Sequence, residues 1–319
     1  MGNFNDLRRK IKPAFLERLE KQFSLHTVEA IIKGFACKRL PVIRVNTLKT
    51  DIQVVMRYFK GLNVLFERIS FLPNALVIKN RDERFFEKLE IYEKGEIYFQ
   101  GLSSQLPAIF LNPKSEEKVL DMAAAPGSKT AQVGMMMENF GEILANEIDP
   151  IRIEKLKYNL DKQGIKIANV NLGNGVSLGE NFTEYFDKVL LDAPCSAEGR
   201  IYLNDPRSYR FWSEKNINQN AKLQKKLFES GIKALKKGGE MVYSTCTLAP
   251  EENEMIVDYV LKNFSNVLKI EKIDLDFKYK LPIVDSFMGI PFSPLVKNCL
   301  KAMPSEISEG FFVAKFRRV

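Results

Sequence analysis

Histidine is almost absent from this chain. Of 319 residues one is histidine, His26, and four are cysteine: Cys37, Cys195, Cys246 and Cys299. The cysteines show no close pairing of the kind that holds zinc, so no metal is expected. The first residues lack the apolar core of a secretory leader. A disulfide framework is therefore not expected, and a reducing, cytoplasmic setting is. No apolar run reaches the roughly 18 residues that span a bilayer, so no membrane partner is expected. Internal repeats and low-complexity segments are missing too.

What is present is an ordinary globular composition, 45% hydrophobic and 28% charged. That is enough chain for two domains and a sizeable core. The formal net charge is +8, and residues 1–60 hold thirteen Lys/Arg against five Asp/Glu. The rest of the chain is near neutral. A basic block beside a neutral body suggests a polyanion-binding module joined to a different machine. A Lys-rich solvated surface is the plainer alternative.

Residues 5–22 read as one helix, with a second over 27–34 and a third over 51–60. Strands are predicted at 42–46, 64–68, 75–79 and 96–99, with a Pro73-Asn74 turn between the middle two. This order fits a small α+β RNA-binding module of RRM-like type over 1–110. A helix at 103–111 leads out of it. From 111 onward, strands at 118–122, 142–147, 167–172, 187–192 and 239–244 alternate with helices at 128–138, 150–162 and 214–237. That is the βαβ signature of a doubly wound, mostly parallel sheet. A helix starts at Pro250, and 310–316 closes the chain as a strand on an antiparallel edge. Residues 268–309 show no clear period.

Three stretches carry chemistry. The first is Val119-Leu-Asp-Met-Ala-Ala-Ala-Pro-Gly-Ser-Lys-Thr130. An apolar strand runs through small residues, Ala123, Ala124, Ala125, Pro126 and Gly127, into a helix beginning Ser128-Lys129. Small residues let backbone approach a ligand, and the helix start offers free N–H groups. It is neither Gly-x-Gly-x-x-Gly nor a Walker A loop. Alone it implies an adenosine-like or anionic group. Glu147 ends the next strand, about twenty residues on, where an acid can accept both hydroxyls of a ribose. The alternative role, helix N-cap before Pro150, fits Asp149 better. Arg152 is a site residue or a surface charge.

The second and third stretches are Asp192-Ala-Pro-Cys195-Ser and Tyr243-Ser-Thr-Cys246-Thr. Ligands of such sheets bind at the carboxyl ends of strands. A lone cysteine is most often an inert small hydrophobe. Two at the ends of neighbouring strands are harder to dismiss. With His26 far away in sequence, a thiolate there must be favoured by another group, such as Lys129 or a helix start.

These motifs, with Pro250-Glu-Glu-Asn-Glu254, Gly95-Glu-Ile-Tyr-Phe-Gln100, Ser103-Ser-Gln105 and Gly310-Phe-Phe-Val-Ala, resemble the RsmB/NOL/NOP/Sun family of RNA 5-methylcytosine methyltransferases. The likeness runs from about Arg44 to Val319. It implies a Rossmann-like class I methyltransferase domain over 111–319, S-adenosylmethionine as cofactor and a cytosine in RNA as substrate. By resemblance Cys246 is the nucleophile and Cys195 assists release of the methylated base. Asp192 and Lys129 hold the cytosine. Ala123–Lys129, Glu147, Arg152, Asn174 and Asp192 form the cofactor site. Asn174 departs from the family, which usually has Asp there; an amide oxygen can still accept an adenine amino group.

The chemistry explains the residue types. C5 of cytosine is a poor nucleophile, and thiolate addition at C6 makes it enamine-like. The target base must be unpaired or flipped out. A monomer acting on tRNA is expected, with ribosomal RNA the alternative. Two other readings are weighed. Asp192-Ala-Pro-Cys195 loosely resembles the Asp-Pro-Pro-Tyr loop of amino-methylating enzymes, but lacks its stacking aromatic. A non-catalytic RNA-binding protein on the same fold would not need the intact Lys129, Asp192, Cys195 and Cys246.

Overall fold

The computed structural model describes residues 4–319. Its first part runs α1 (Phe4–Arg9), α2 (Pro13–Gln22), α3 (Leu25–Ala36), β1 (Val42–Val45), α4 (Ile52–Gly61), β2 (Phe66–Ile69), β3 (Leu72–Ile78), α5 (Glu83–Glu87), α6 (Glu90–Glu93), β4 (Ile97–Phe99) and α7 (Leu102–Leu111). The alternating part runs β5 (Lys118–Asp121), α8 (Ser128–Met136), β6 (Glu142–Glu147), α9 (Pro150–Gln163), β7 (Ala168–Leu172), α10 (Leu178–Asn181), β8 (Phe186–Asp192), α11 (Glu214–Ala234), β9 (Leu235–Thr245) and α12 (Glu254–Asn263). The last part is all strand: β10 (Leu268–Glu271), β11 (Lys280–Leu281), β12 (Ser286–Phe287), β13 (Ile290–Pro291), β14 (Leu300–Ala302) and β15 (Phe311–Arg318).

Two compact units emerge from the chain. One comprises Leu40–Asp192 and Leu227–Val242. It contains a four-stranded antiparallel sheet in the order β2-β3-β1-β4. The apolar faces of β1, β3 and α4 bury Ile43, Val55, Phe59 and Ile78 together with Phe86. The same unit contains strands in the order β9-β8-β5-β6-β7, with β8, β5, β6 and β7 parallel. This is the Rossmann-like, mixed α/β fold that the alternation of strands and helices predicts.

The predicted turn at Pro73-Asn74 is not a turn. Both residues lie inside β3, and the chain reverses just before Leu72. A register shift between Arg68 and Ile69 leaves 73–75 bulged against β2, so Pro73 owes the ladder no N–H there. The single helix read over 5–22 is two helices, because Pro13 sits at N1 of α2. Proline has no N–H and crowds the preceding turn, so it opens a helix rather than continuing one.

The other unit comprises residues up to Arg39, Ala193–Lys226 and Tyr243–Val319. Its strands follow the order β11-β14-β15, with β10 also on β15. The closing strand is therefore not an edge. It pairs antiparallel with both β14 and β10. Its residues Phe311, Phe312, Val313, Ala314 and Phe316 are all buried, a continuous apolar run that suits a covered strand. The partners were invisible to periodicity because each has only two to four residues. Lys301 of β14 forms a fully buried ion pair with Glu254 of α12, Nζ to Oε1 at 2.6 Å.

That pair makes a stability prediction. Removing one partner strands a buried charge, whereas removing both need not. Lys301→Met is expected to lower unfolding free energy by about 3–5 kcal/mol. Lys301→Met with Glu254→Gln should regain most of it, read as urea midpoints. Equal midpoints for wild type and Lys301→Met would disprove the buried pair.

Candidate active site

The small-residue turn after β5 has few side chains, so its shape is imposed by neighbours. Ala124 N–H donates to Asn146 O at 2.8 Å, and Met122 N–H to Leu190 O at 3.0 Å. Arg152 donates to Ala125 O at 2.5 Å and Asn159 to Pro126 O at 2.8 Å. Gly127 has φ +103°, and a Cβ there would meet the Leu156 side chain at 3.0 Å. The positive φ calls for glycine, and the close Leu156 side chain adds to that preference. Arg152, read as site residue or surface charge, is a brace of this turn.

Glu147 ends β6 and is only 2% exposed. Its Oε1 accepts from Ile148 N at 2.9 Å and Asp149 N at 3.0 Å. Its Oε2 faces Arg152 at 3.2 Å but receives no hydrogen bond. Asp149 is the helix N-cap, accepting from Ile151 and Arg152 N–H. Asn174 is exposed, and its Oδ1 accepts from Val176 N at 3.0 Å, capping a short 3₁₀ turn.

Lys129, in the first turn of α8, pairs with Asp192 Oδ2 at 2.7 Å and donates to Ser104 Oγ at 3.0 Å. Behind it, Arg44 of β1 is 1% exposed. It donates to Ser128 O at 2.9 Å and to Gln163 Oε1, and lies 5.5 Å over the Tyr98 ring. Burial pushes its pKa down to about 10, which leaves it cationic at neutral pH. Asp121 accepts from Thr130 Oγ1 at 2.7 Å, and burial pushes its pKa up to about 7.

In the other unit the two thiols meet. Cys195 Sγ and Cys246 Sγ are 3.3 Å apart, and both residues are half-buried. The hydrogen bond to Cys246 and then burial raise the Cys195 thiol well above its ordinary value. The Cys195 thiol therefore keeps its proton at neutral pH. Gly199 N–H donates to Cys246 O at 2.9 Å. The following carboxylates brace the pair. Glu252 accepts from Ser196 N at 3.0 Å, from Ser196 Oγ, and from Gln224 Nε2 at 3.0 Å. Ser196 Oγ also contacts Thr247 Oγ1 at 2.7 Å. Asn253 donates to Thr247 O at 3.0 Å. Burial, with Glu198 nearby, pushes Glu252 up to about 7. Arg39 donates to the carbonyls of Gly199 and Ile201, and burial lowers its pKa from the ordinary guanidinium value.

The structure thus brings Lys129 to Asp192 in one unit and Cys195 to Cys246 in the other. Sequence reasoning missed Arg44, Arg39, Ser104 and the bracing role of Glu252. Ser104 and Glu252 lay within motifs that marked the resemblance, but nothing local announced their partners. Among the described residues no cluster of metal-ligating side chains occurs, and no helix is long and apolar enough to cross a membrane.

A Rossmann-like sheet with this turn and these strand ends is a methyltransferase fold. A solved methyltransferase homologue from Pyrococcus horikoshii superposes with a TM-score of 0.86 at 31% identity, covering 99% of this chain and 98% of its own. Residues 108–317 match the family described as 16S rRNA methyltransferase RsmB/F, and the chain belongs to this RNA methyltransferase family. The tRNA (cytosine(49)-C(5))-methyltransferase of Pyrococcus abyssi (strain GE5 / Orsay) is 38% identical over 285 residues, 87% of this chain and 88% of that one. The ribosomal RNA small subunit methyltransferase F of Serratia proteamaculans (strain 568) is 34% identical over 97% of this chain, which spans only 63% of that enzyme.

The raised carboxyls fix a pH dependence. Asp121, Glu252 and, in the same direction, Glu198 hold protons in the folded chain that the unfolded chain releases near its ordinary values. Between about pH 4 and 7 the folded state binds more protons, so stability falls as pH rises through that window. Asp121→Asn with Glu252→Gln should flatten the slope of urea midpoints from pH 4.5 to 7.5. A slope identical to wild type would mean these carboxyls ionise normally.

Proposed function

We propose that this chain is an S-adenosylmethionine-dependent RNA cytosine-C5 methyltransferase that acts on tRNA through a covalent Cys246–C6 adduct. The observation that carries the reading is the thiol pair at 3.3 Å, placed after two strand ends and with one thiol holding its proton. The cofactor fits the residues present. Glu147 Oε2 is a buried carboxylate oxygen that receives no hydrogen bond, as a ribose hydroxyl acceptor would be before binding. Ala123, Ala124, Ala125, Pro126, Gly127, Ser128 and Lys129 would cradle the nucleoside, Glu147 its ribose and Asn174 its adenine, with Arg152 holding the cradle and Asp192 at its rim. When bound there, S-adenosylmethionine supplies the methyl group.

The chain's own residues do the rest. The Cys246 thiolate forms a bond to C6 of the cytosine, which shifts electron density onto C5. Asp192, paired with Lys129, accepts from the cytosine N4 amino group, and from N3–H once N3 takes up a proton from solvent as the thiolate adds, so it stabilises the ring most in the added form. Once C5 carries its methyl group, water takes the C5 proton, the C6–S bond breaks with its electron pair returning to sulfur, and the aromatic ring is restored. Cys195 Sγ–H, 3.3 Å from Cys246 Sγ, assists that release by donating to the departing thiolate.

The relatives' coverage supports tRNA as the substrate. The tRNA enzyme is matched along 88% of its length, the small-subunit rRNA enzyme along 63%. Small-subunit rRNA is the second reading, favoured by the description of the matching family. Residues 1–110 serve as the RNA-binding part, with the sheet β2-β3-β1-β4 as an RRM-like platform, and 111–319 as the methyltransferase part. We place the enzyme in the cytoplasm, as a monomer.

Bisulfite mapping of RNA treated with the purified chain should show new 5-methylcytosine. Cys246→Ala should abolish it, by at least about a thousandfold, as loss of a covalent nucleophile does. Cys195→Ala should accumulate an RNA–protein adduct that survives denaturing electrophoresis. The reverse pattern, with adduct from Cys246→Ala, would overturn the roles given to the two sulfurs.

A further inference from the structure

Phe211 is 76% exposed, more than any other large apolar side chain among the described residues. Burying a phenylalanine would gain about 1.5–3 kcal/mol, so holding one out in water calls for a reason. The backbone around it is not slack. Lys12 Nζ donates to Arg210 O at 3.1 Å and to Trp212 O at 2.9 Å, on either side of Phe211. The Trp212 ring lies edge-on to Phe15, with centroids 5.3 Å apart, and its Nε1 donates to Glu198 Oε1 at 2.8 Å. The Arg210 guanidinium lies 4.4 Å over the Phe211 ring. The loop therefore displays an aromatic face and a cation together.

The loop is also tied to the nucleophile. Glu198 accepts from Thr247 Oγ1 at 3.2 Å, and Gly199 N–H donates to Cys246 O at 2.9 Å. Residues 200–212 carry three arginines against one aspartate, which suits a polyanion. A base flipped out of a helix or loop leaves its neighbours without stacking partners, and an aromatic with a guanidinium replaces what they lose.

We propose that Phe211, backed by Arg210, is the stacking platform for an unpaired nucleotide flanking the target cytosine. It acts as a positioning residue held at a fixed place relative to Cys246 through Trp212 and Glu198. This rests on the reading of the chain as an RNA methyltransferase, but its first test does not need activity. Filter binding of in vitro transcribed tRNA and small-subunit rRNA to the full chain, without methyl donor, gives a Kd for each. Phe211→Ala should weaken the tighter of the two by about tenfold. Phe211→Tyr and Phe211→Trp should bind like wild type, while thermal midpoints and S-adenosylmethionine affinity stay unchanged. In methylation assays the Ala variant should raise KM for RNA with kcat within about twofold.

Equal RNA affinity for Phe211→Ala and wild type would overturn the platform. So would full rescue by Phe211→Leu, which is apolar but has no ring, or failure of wild type to bind either transcript. Loss of binding in Phe211→Ala together with no 5-methylcytosine from wild type would keep the platform and sink the enzymatic reading.

Discussion

Two thiols do not attract each other strongly enough to stay at 3.3 Å unaided. What keeps them there is a buried carboxylate. Glu252 gathers the Ser196 N–H, the Ser196 hydroxyl and the Gln224 amide, while Gln224 also donates to Pro194 O at 2.9 Å. The loop after Asp192 is thereby fixed on both sides of Cys195. Ala197 turns it through a left-handed conformation at φ +58°, and Gly199 then meets the Cys246 carbonyl. A Cβ on Gly199 would come within 1.8 Å of Gly310 O, so this crossing tolerates only glycine. Burying a carboxylate costs free energy, and the raised Glu252 pKa is the sign of that cost. The network offsets it because several of its members are hydrogen-bonded more than once.

The other unit solves the opposite problem. Ala124 and Ala125 of its turn pack against Leu156 and Leu160, but such small residues carry no groups to satisfy the turn's own carbonyls. Long side chains from outside hold its carbonyls instead: Arg152 on Ala125, Asn159 on Pro126, Arg44 on Ser128. The same logic places Lys129 between Ser104 and Asp192. A flexible ammonium with two partners is a point of fixed charge rather than a mobile side chain.

Much of this was legible in residues that signal locally. Strand ends at Asp121, Glu147, Asp192 and Thr245 follow from apolar runs, and Asp149-Pro150 announces its helix. What stayed hidden depends on distance along the chain. Arg44 reads as one more cation in a basic segment, yet it is buried on Ser128, far along the sequence. Glu252 belongs to a run of acids at a helix start, where exposure is the usual fate, and only the fold shows it covered. Residues 268–309 were opaque because strands of two to four residues leave no period to detect.

The basic amino-terminal block illustrates how a correct count can mislead about cause. Thirteen cations in residues 1–60 suggest a polyanion-binding surface. Several of them are already committed. Arg18 is 7% exposed and pairs with Glu251 at 2.6 Å, Arg39 spans two backbone carbonyls, and Lys49 donates to the carbonyls of Lys94 and Lys162. Lys12 is occupied with the loop around Phe211. Each of these shapes the protein without facing a phosphate. The number of counterions released on RNA binding should therefore be smaller than the charge count implies, since only cations free to meet phosphate release them. Charge in this segment is spent first on architecture, and recognition falls to whichever side chains that architecture leaves exposed.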